Sequence, residues 1–73
     1  EVLKKNELFK VYPNPSNGKV YLSEQTDVAL YSSEGQLLNV FENVKELDLS
    51  SYTAGSYFLR NKEGATKKLL LQN

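Results

Sequence analysis

The sequence predicts an all-β fold, a small antiparallel immunoglobulin-like β-sandwich of about seven strands. Short segments rich in aromatic and β-branched residues recur at roughly ten-residue intervals along the chain. Segments rich in Gly, Asn, Ser and Pro separate them, as is typical of turns. No stretch combines helical periodicity with a cap and sufficient length, so no substantial helix is expected.

The first strand is predicted over residues 8–12, and a rigid turn follows it. Pro13 ends the strand because proline supplies no N–H to a sheet. Pro15 fixes the backbone at the second position of the turn, and the Asn14 side chain can bond back to the backbone. Gly18 can adopt a positive φ, after which the chain becomes extended again.

Six further strands are predicted after this turn, over residues 19–22, 27–31, 36–41, 46–49, 56–60 and 65–71. Gly35 and Gly64 are assigned to hairpin turns, where a left-handed backbone conformation is needed. Gly55 allows a tight entry into the sixth strand, so that Tyr57 reaches the core with its hydroxyl at the rim.

The composition of the 73-residue chain argues against catalysis and metal binding. It has no Cys and no His, so the usual ligands of structural zinc, a thiolate nucleophile and an imidazole base are all missing. We therefore expect a protein that is not an enzyme, with no cofactor and no metal. A domain of this length buries only about 60% of the surface that its unfolded chain exposes, so its stability depends on a thin apolar core.

The net charge is zero, but the charges are unevenly distributed. Residues 23–59 contain six acidic residues and one lysine, a net charge of −5. Residues 60–73 contain four basic residues and one glutamate, a net charge of +3. A nucleic-acid partner is not expected, because such proteins usually carry a strong positive balance. Charge alone favours basic termini that pair with an acidic middle over a basic C-terminal edge offered to a partner.

Four segments, in the same order as in one known family, carry recognisable motifs. Residues 11–18 read Val-Tyr-Pro-Asn-Pro-Ser-Asn-Gly, and residues 31–36 read Tyr-Ser-Ser-Glu-Gly-Gln. Residues 47–57 read Leu-Asp-Leu-Ser-Ser-Tyr-Thr-Ala-Gly-Ser-Tyr, and residues 66–69 read Thr-Lys-Lys-Leu. In this pattern the chain resembles the type A C-terminal sorting domains of the type IX secretion system of Bacteroidetes. The resemblance covers about residues 9–73. It departs from the family at Tyr52-Thr53, which replace a common Leu-Pro, and at Ser32 and Ser33, which replace the usual Asp and an apolar residue. A serine hydroxyl can still support the turn.

The resemblance implies a targeting function. Such a domain directs an upstream passenger through the periplasm to the outer-membrane translocon, with a shuttle protein among its partners. A sortase-like cysteine protease then removes the domain, and the passenger stays at the cell surface or is secreted. On this reading residues 8–73 form the sorting domain, and residues 1–7 are either a linker or a first edge strand.

The C-terminal strand is the predicted recognition element. Strand alternation places Lys67, Leu69 and Leu71 on one face, and Lys68 and Leu70 on the other. Apolar surface on both faces indicates either a strand whose second face is covered by a loop, or an edge that receives a partner strand or docks on a receptor. A homodimer through this strand is also kept as an alternative.

The remaining motif residues are predicted to have structural roles. They are Tyr12, Pro13, Asn14, Pro15, Gly18, Gly35, Asp48, Gly55 and Tyr57.

A second hypothesis of another class is an adhesive or carbohydrate-binding module. Tyr12, Tyr21 and Tyr31 would then stack on sugar rings, although periodicity fits them equally well as core residues.

Overall fold

The computed structural model describes residues 9–72, and these form a single antiparallel sheet. Its strands are β1 (Val11–Tyr12), β2 (Lys19–Ser32), β3 (Leu37–Asp48), β4 (Gly55–Asn61) and β5 (Thr66–Leu71). The order across the sheet is β1-β2-β4-β5, and β3 pairs with β2. The described residues contain no helix, and hence none that could span a membrane. The predictions for residues 1–8 lie outside the described part of the chain.

The prediction of about seven strands in a sandwich needs correction, because residues 9–72 form five strands in one sheet that bends into a half-barrel. The predicted strands 19–22 and 27–31 are joined in β2, and the predicted strands 36–41 and 46–49 are joined in β3. The mostly polar segments 23–26 and 42–45 continue β2 and β3 instead of forming turns. They contain neither Pro nor Gly, the residues that most often end a strand.

Side chains form hydrogen bonds with backbone N–H and C=O groups where the register between β2 and β3 shifts. The register shifts between Tyr21 and Thr26 and again before Val28, and Asn43 has a φ of 54°. Asn43 N–H donates to Asp27 Oδ1 at 2.7 Å, and Gln25 Nε2 donates to the Asn43 carbonyl at 3.3 Å. The polar side chains in these segments, which are typical of loops, therefore form hydrogen bonds at a bulge within a strand.

One face of the sheet, here called the inner face, carries the core. β2 contributes alternating buried side chains, and its two halves pair with different neighbours, β1 before the bulge and β4 after it. The buried apolar residues of the described chain are Phe9, Val20, Leu22, Val28, Leu30, Leu47, Leu49, Tyr57, Leu59, Ala65, Leu69 and Leu71. Complete burial of one such aliphatic side chain is worth about 1.5–3 kcal/mol.

The β2–β3 hairpin shows how serine replaces the usual aspartate of the motif. Gly35 has a φ of 88°, and its N–H donates to the Ser32 carbonyl at 2.9 Å. Ser32 Oγ accepts bonds from the backbone N–H groups of Glu34 and Gln36, both at 3.2 Å. The hydroxyl therefore supports the turn in the way predicted from the sequence.

Candidate recognition site

The side chains of β5 alternate between the core and solvent. Leu69 and Leu71 are buried on the inner face, at 0% and 3% exposure, and Lys67 is half-buried. Lys68 is exposed, and Leu70 is 39% exposed. Of the five predicted recognition residues, Lys68 and Leu70 are therefore the two that the folded domain presents on its other face, here called the outer face.

Neighbouring strands extend this outer face. Lys68 lies opposite Phe58 of β4, and Phe58 lies opposite Tyr31 of β2. Directly opposed residues of antiparallel strands share a face, so these three side chains form a row across β5, β4 and β2. Arg60 is exposed two residues beyond Phe58, which places it on the same face.

A shallow groove opens on the same face. It has a volume of about 310 Å³, and its lining includes Ala29, Tyr31, Val40 and Arg60. Val40 and Arg60 both lie opposite Ala29, one on each side of β2. The term outer-face patch is used below for six residues: Tyr31, Val40, Phe58, Arg60, Lys68 and Leu70.

The sequence predictions named two of these six residues as recognition residues, Lys68 and Leu70. The alternation of residues 57–60 could have predicted two more residues of the outer-face patch. Tyr57 and Leu59 are buried there, so Phe58 and Arg60 must point outward. Only the pairing of β2 with β4 brings Tyr31 next to them.

The proline-rich turn pairs with the edge of β5 that is turned away from β4. This edge is here called the outer edge of β5, as distinct from the outer face of the sheet. Asn14 Nδ2 donates to the Lys68 carbonyl at 2.9 Å, and Leu70 N–H donates to Asn14 Oδ1 at 3.0 Å. Ser16 N–H donates to the Leu70 carbonyl, and Gln72 N–H donates to the Ser16 carbonyl, both at 2.8 Å. Two motifs that are far apart in the sequence therefore form one hydrogen-bonded unit.

This arrangement resembles a further strand in which a side-chain amide replaces a peptide group. Pro13 and Pro15 carry no N–H, so the backbone on either side of Asn14 cannot donate to a ladder. From Lys68 to Gln72 the outer edge of β5 is already paired. Addition of a partner strand there, or a homodimer formed through this edge, would first have to displace the turn. The turn therefore covers the outer edge of β5 but leaves its outer face, with Lys68 and Leu70, exposed.

Comparison with known protein families assigns the chain. The model of the secretion system C-terminal sorting domain family matches residues 10–72. The chain belongs to this family. Searches of curated proteins and of solved structures give no significant match.

Membership identifies the chain as a C-terminal sorting signal of type IX secretion. This implies a passenger upstream, a secretion machinery that recognises the domain, and export toward the outer membrane, the cell surface or the medium. The family consists of signals and is not itself catalytic. Within residues 9–72, the sorting domain has no group of three or more acidic side chains placed to hold a metal ion.

The three tyrosines considered for sugar binding lie in two different places in the sorting domain. Tyr12 and Tyr21 are 49% and 39% exposed, and their rings stack on one another with centroids 6.0 Å apart. Tyr31 is half-buried in the outer-face patch, ten residues further along β2, up to about 30 Å away for an extended chain. The comparisons do not support the adhesive or carbohydrate-binding hypothesis.

Two further motif residues of the sorting domain stabilise the loop between β3 and β4. Tyr57 is buried and its hydroxyl donates to the Thr53 carbonyl at 2.6 Å. Asp48 Oδ1 accepts a bond from Ser50 N–H at 3.1 Å. Hydrogen bonds from the Ser50 side chain and backbone lower the pKa of Asp48 below its ordinary value, and the charge of Lys19 adds to this effect.

Replacing Asp48 with asparagine should reduce the thermal stability of the sorting domain in a pH-dependent way. Because the folded-state pKa is depressed, the stabilisation by the carboxylate is present above the unfolded-state pKa and is lost as the pH falls through the folded-state pKa. The Tm difference between the parent and Asp48→Asn should therefore be present at neutral pH and disappear in strong acid. A Tm difference that is independent of pH would contradict this assignment.

Proposed function

We propose that the domain directs its passenger through the outer membrane by presenting the outer-face patch to the type IX machinery, with Lys68 and Leu70 as the principal contacts. The observation that supports this is the orientation of β5. Of the three other predicted contacts, Leu69 and Leu71 are buried in the core and Lys67 is half-buried on the inner face. A receptor that binds the folded domain therefore meets Lys68, Leu70 and their outer-face neighbours.

Side chains, rather than a free backbone edge, carry this recognition. The outer edge of β5 is already hydrogen-bonded to Asn14 and Ser16. A receptor that reads the C-terminal strand without unfolding the turn therefore contacts its outward side chains. The patch combines half-buried aromatic rings with the exposed cations of Arg60 and Lys68, which suits a partner surface that is apolar with acidic groups at its rim.

The proposed route follows the family. The domain passes through the periplasm, where a shuttle protein receives it and delivers it to the outer-membrane translocon. A sortase-like cysteine protease then removes it at the surface. This part of the proposal rests on the family assignment and on the resemblance of the four motifs, and it makes the domain a peptidase substrate.

Changing Lys67 and Lys68 together to glutamine should separate recognition from folding. Both ammonium groups can reach solvent, so we expect stability to change by only about 0.5 kcal/mol. Delivery of an upstream reporter to the cell surface should nevertheless fall. Surface labelling of the reporter and the Tm of the isolated domain are the two measurements.

Single variants make this test sharper, because the two lysines lie on different faces. Lys68→Gln should account for most of the export defect, whereas Lys67→Gln should have little effect. Lys45→Gln removes an exposed lysine of β3 and is the matched control. If the folded double variant is exported at the parental rate, the lysines are not recognition residues.

A further inference from the structure

The first half of β3 is an edge strand without the usual protection. Among residues 9–72, β3 pairs only with β2, and Leu37, Leu38 and Val40 are 52%, 37% and 53% exposed. Residues 37–41 contain neither a charged residue nor a proline. Natural edge strands normally carry such residues because they prevent pairing with other chains.

The backbone at this edge is available for pairing. Val40 N–H donates to Oδ1 of the adjacent Asn39 at 2.8 Å rather than to a strand. This bond to a neighbouring side chain can be exchanged for one to a partner carbonyl by rotation of Asn39, whose amide also donates to the Tyr52 hydroxyl at 3.3 Å. The edge of β3 therefore differs from the outer edge of β5, whose backbone N–H and C=O groups are hydrogen-bonded to residues of the proline-rich turn.

The charges around this edge indicate what kind of strand it accepts. Glu34 precedes the apolar segment and Glu42 follows it, and β3 continues with Glu46 and Asp48. Residues 34–48 contain four acidic residues and one lysine, a net charge of −3. A second copy would bring two acidic strands together, which costs free energy, whereas a strand with basic flanks is attracted.

We propose that the outer edge of β3 binds, by antiparallel or parallel strand addition, an extended apolar segment of a partner protein that is flanked by lysine or arginine. The main-chain bonds supply affinity, and the acidic flanks select the partner. This edge shares Val40 with the outer-face patch, but it lies at the opposite edge of the sheet from Lys68 and Leu70, and its test does not depend on export.

Two synthetic peptides test the proposal on the 73-residue chain. One has the sequence Lys-Lys-Val-Thr-Val-Thr-Val-Lys-Lys, and the other has glutamate at all four flanking positions. In NMR titrations, we expect the lysine-flanked peptide to shift the amide resonances of residues 37–42 and to bind at least about tenfold more tightly than its counterpart. Its binding should weaken in about 1 M salt, where the Debye length is about 3 Å.

Variants of Val40 locate the binding site. Val40→Pro removes the outward N–H, and edge strands tolerate proline where the N–H faces solvent. Val40→Lys keeps the N–H but places a positive charge next to the positively charged peptide. This variant provides the test if Val40→Pro does not fold. Both should abolish binding, whereas Leu70→Lys, at an exposed apolar position of β5, should leave it unchanged.

Three results would overturn the proposal. The first is equal binding of the two peptides, or no binding of either. The second is binding that the Val40 variants leave intact. The third is sedimentation showing that the chain dimerises and that the Val40 variants restore the monomer, because the edge would then belong to a second copy.

Discussion

Replacing Leu69 with alanine will lower the free energy of unfolding by about 2–5 kcal/mol, the range for truncating a buried leucine. Leu69 is completely buried within the core cluster. At about 0.05–0.15 kcal/mol per residue, a chain of this length has a total stability of roughly 4–11 kcal/mol. The substitution therefore removes a large share of the total, and urea unfolding at 25 °C would measure it.

The neighbouring residue provides the matched control. Leu70 is 39% exposed on the outer face, so Leu70→Ala should change the free energy of unfolding by no more than about 0.5 kcal/mol. If the proposed recognition is right, this variant should nevertheless reduce export. Equal losses of stability at the two positions would contradict the alternation of β5 on which the outer-face patch depends.

Replacing Asn14 with alanine should cost about 1–3 kcal/mol, because it removes two hydrogen bonds worth about 0.5–1.5 kcal/mol each. Both bonds join the turn to β5, one through the Lys68 carbonyl and the other through Leu70 N–H. The Leu70 amide should then exchange its hydrogen faster than in the parent. Denaturant unfolding and NMR hydrogen exchange are the two measurements.

Asn14→Asp distinguishes the two hydrogen bonds. A carboxylate still accepts from Leu70 N–H but cannot donate to the Lys68 carbonyl. We expect the Leu70 amide to remain protected in this variant, while repulsion between the new carboxylate oxygen and the Lys68 carbonyl still destabilises the domain relative to the parent. Unchanged protection of Leu70 in Asn14→Ala would show that the side chain does not cover the edge of β5.

The sequence by itself determined the class of the fold and most of its local features. Aromatic and β-branched segments between turn residues predicted an all-β chain, and residues 9–72 contain strands and turns without helix. The positive φ of Gly35 and the alternation of β5 were also predictable. Side-chain period and turn chemistry are local properties, and the sequence displays them directly.

Tertiary structure alone decided how many strands there are. Residues 23–26 and 42–45 are mostly polar, as loops are, yet bulges and bonds such as that from Asn43 N–H to Asp27 keep them within β2 and β3. Whether a polar segment forms a turn or a bulged strand depends on which groups form hydrogen bonds with its backbone N–H and C=O groups. That partner lies 16 residues away in this bond, beyond the reach of any local pattern.

The same reason explains what could not be foreseen about the recognition site. Asn14 was predicted to bond within its own turn, but its amide bonds to Lys68 and Leu70, which are 54 and 56 residues away. The outer-face patch likewise combines residues from β2, β3, β4 and β5. Local periodicity specifies which face a side chain occupies, but only the pairing of distant strands determines its neighbours and which edge of the sheet stays open.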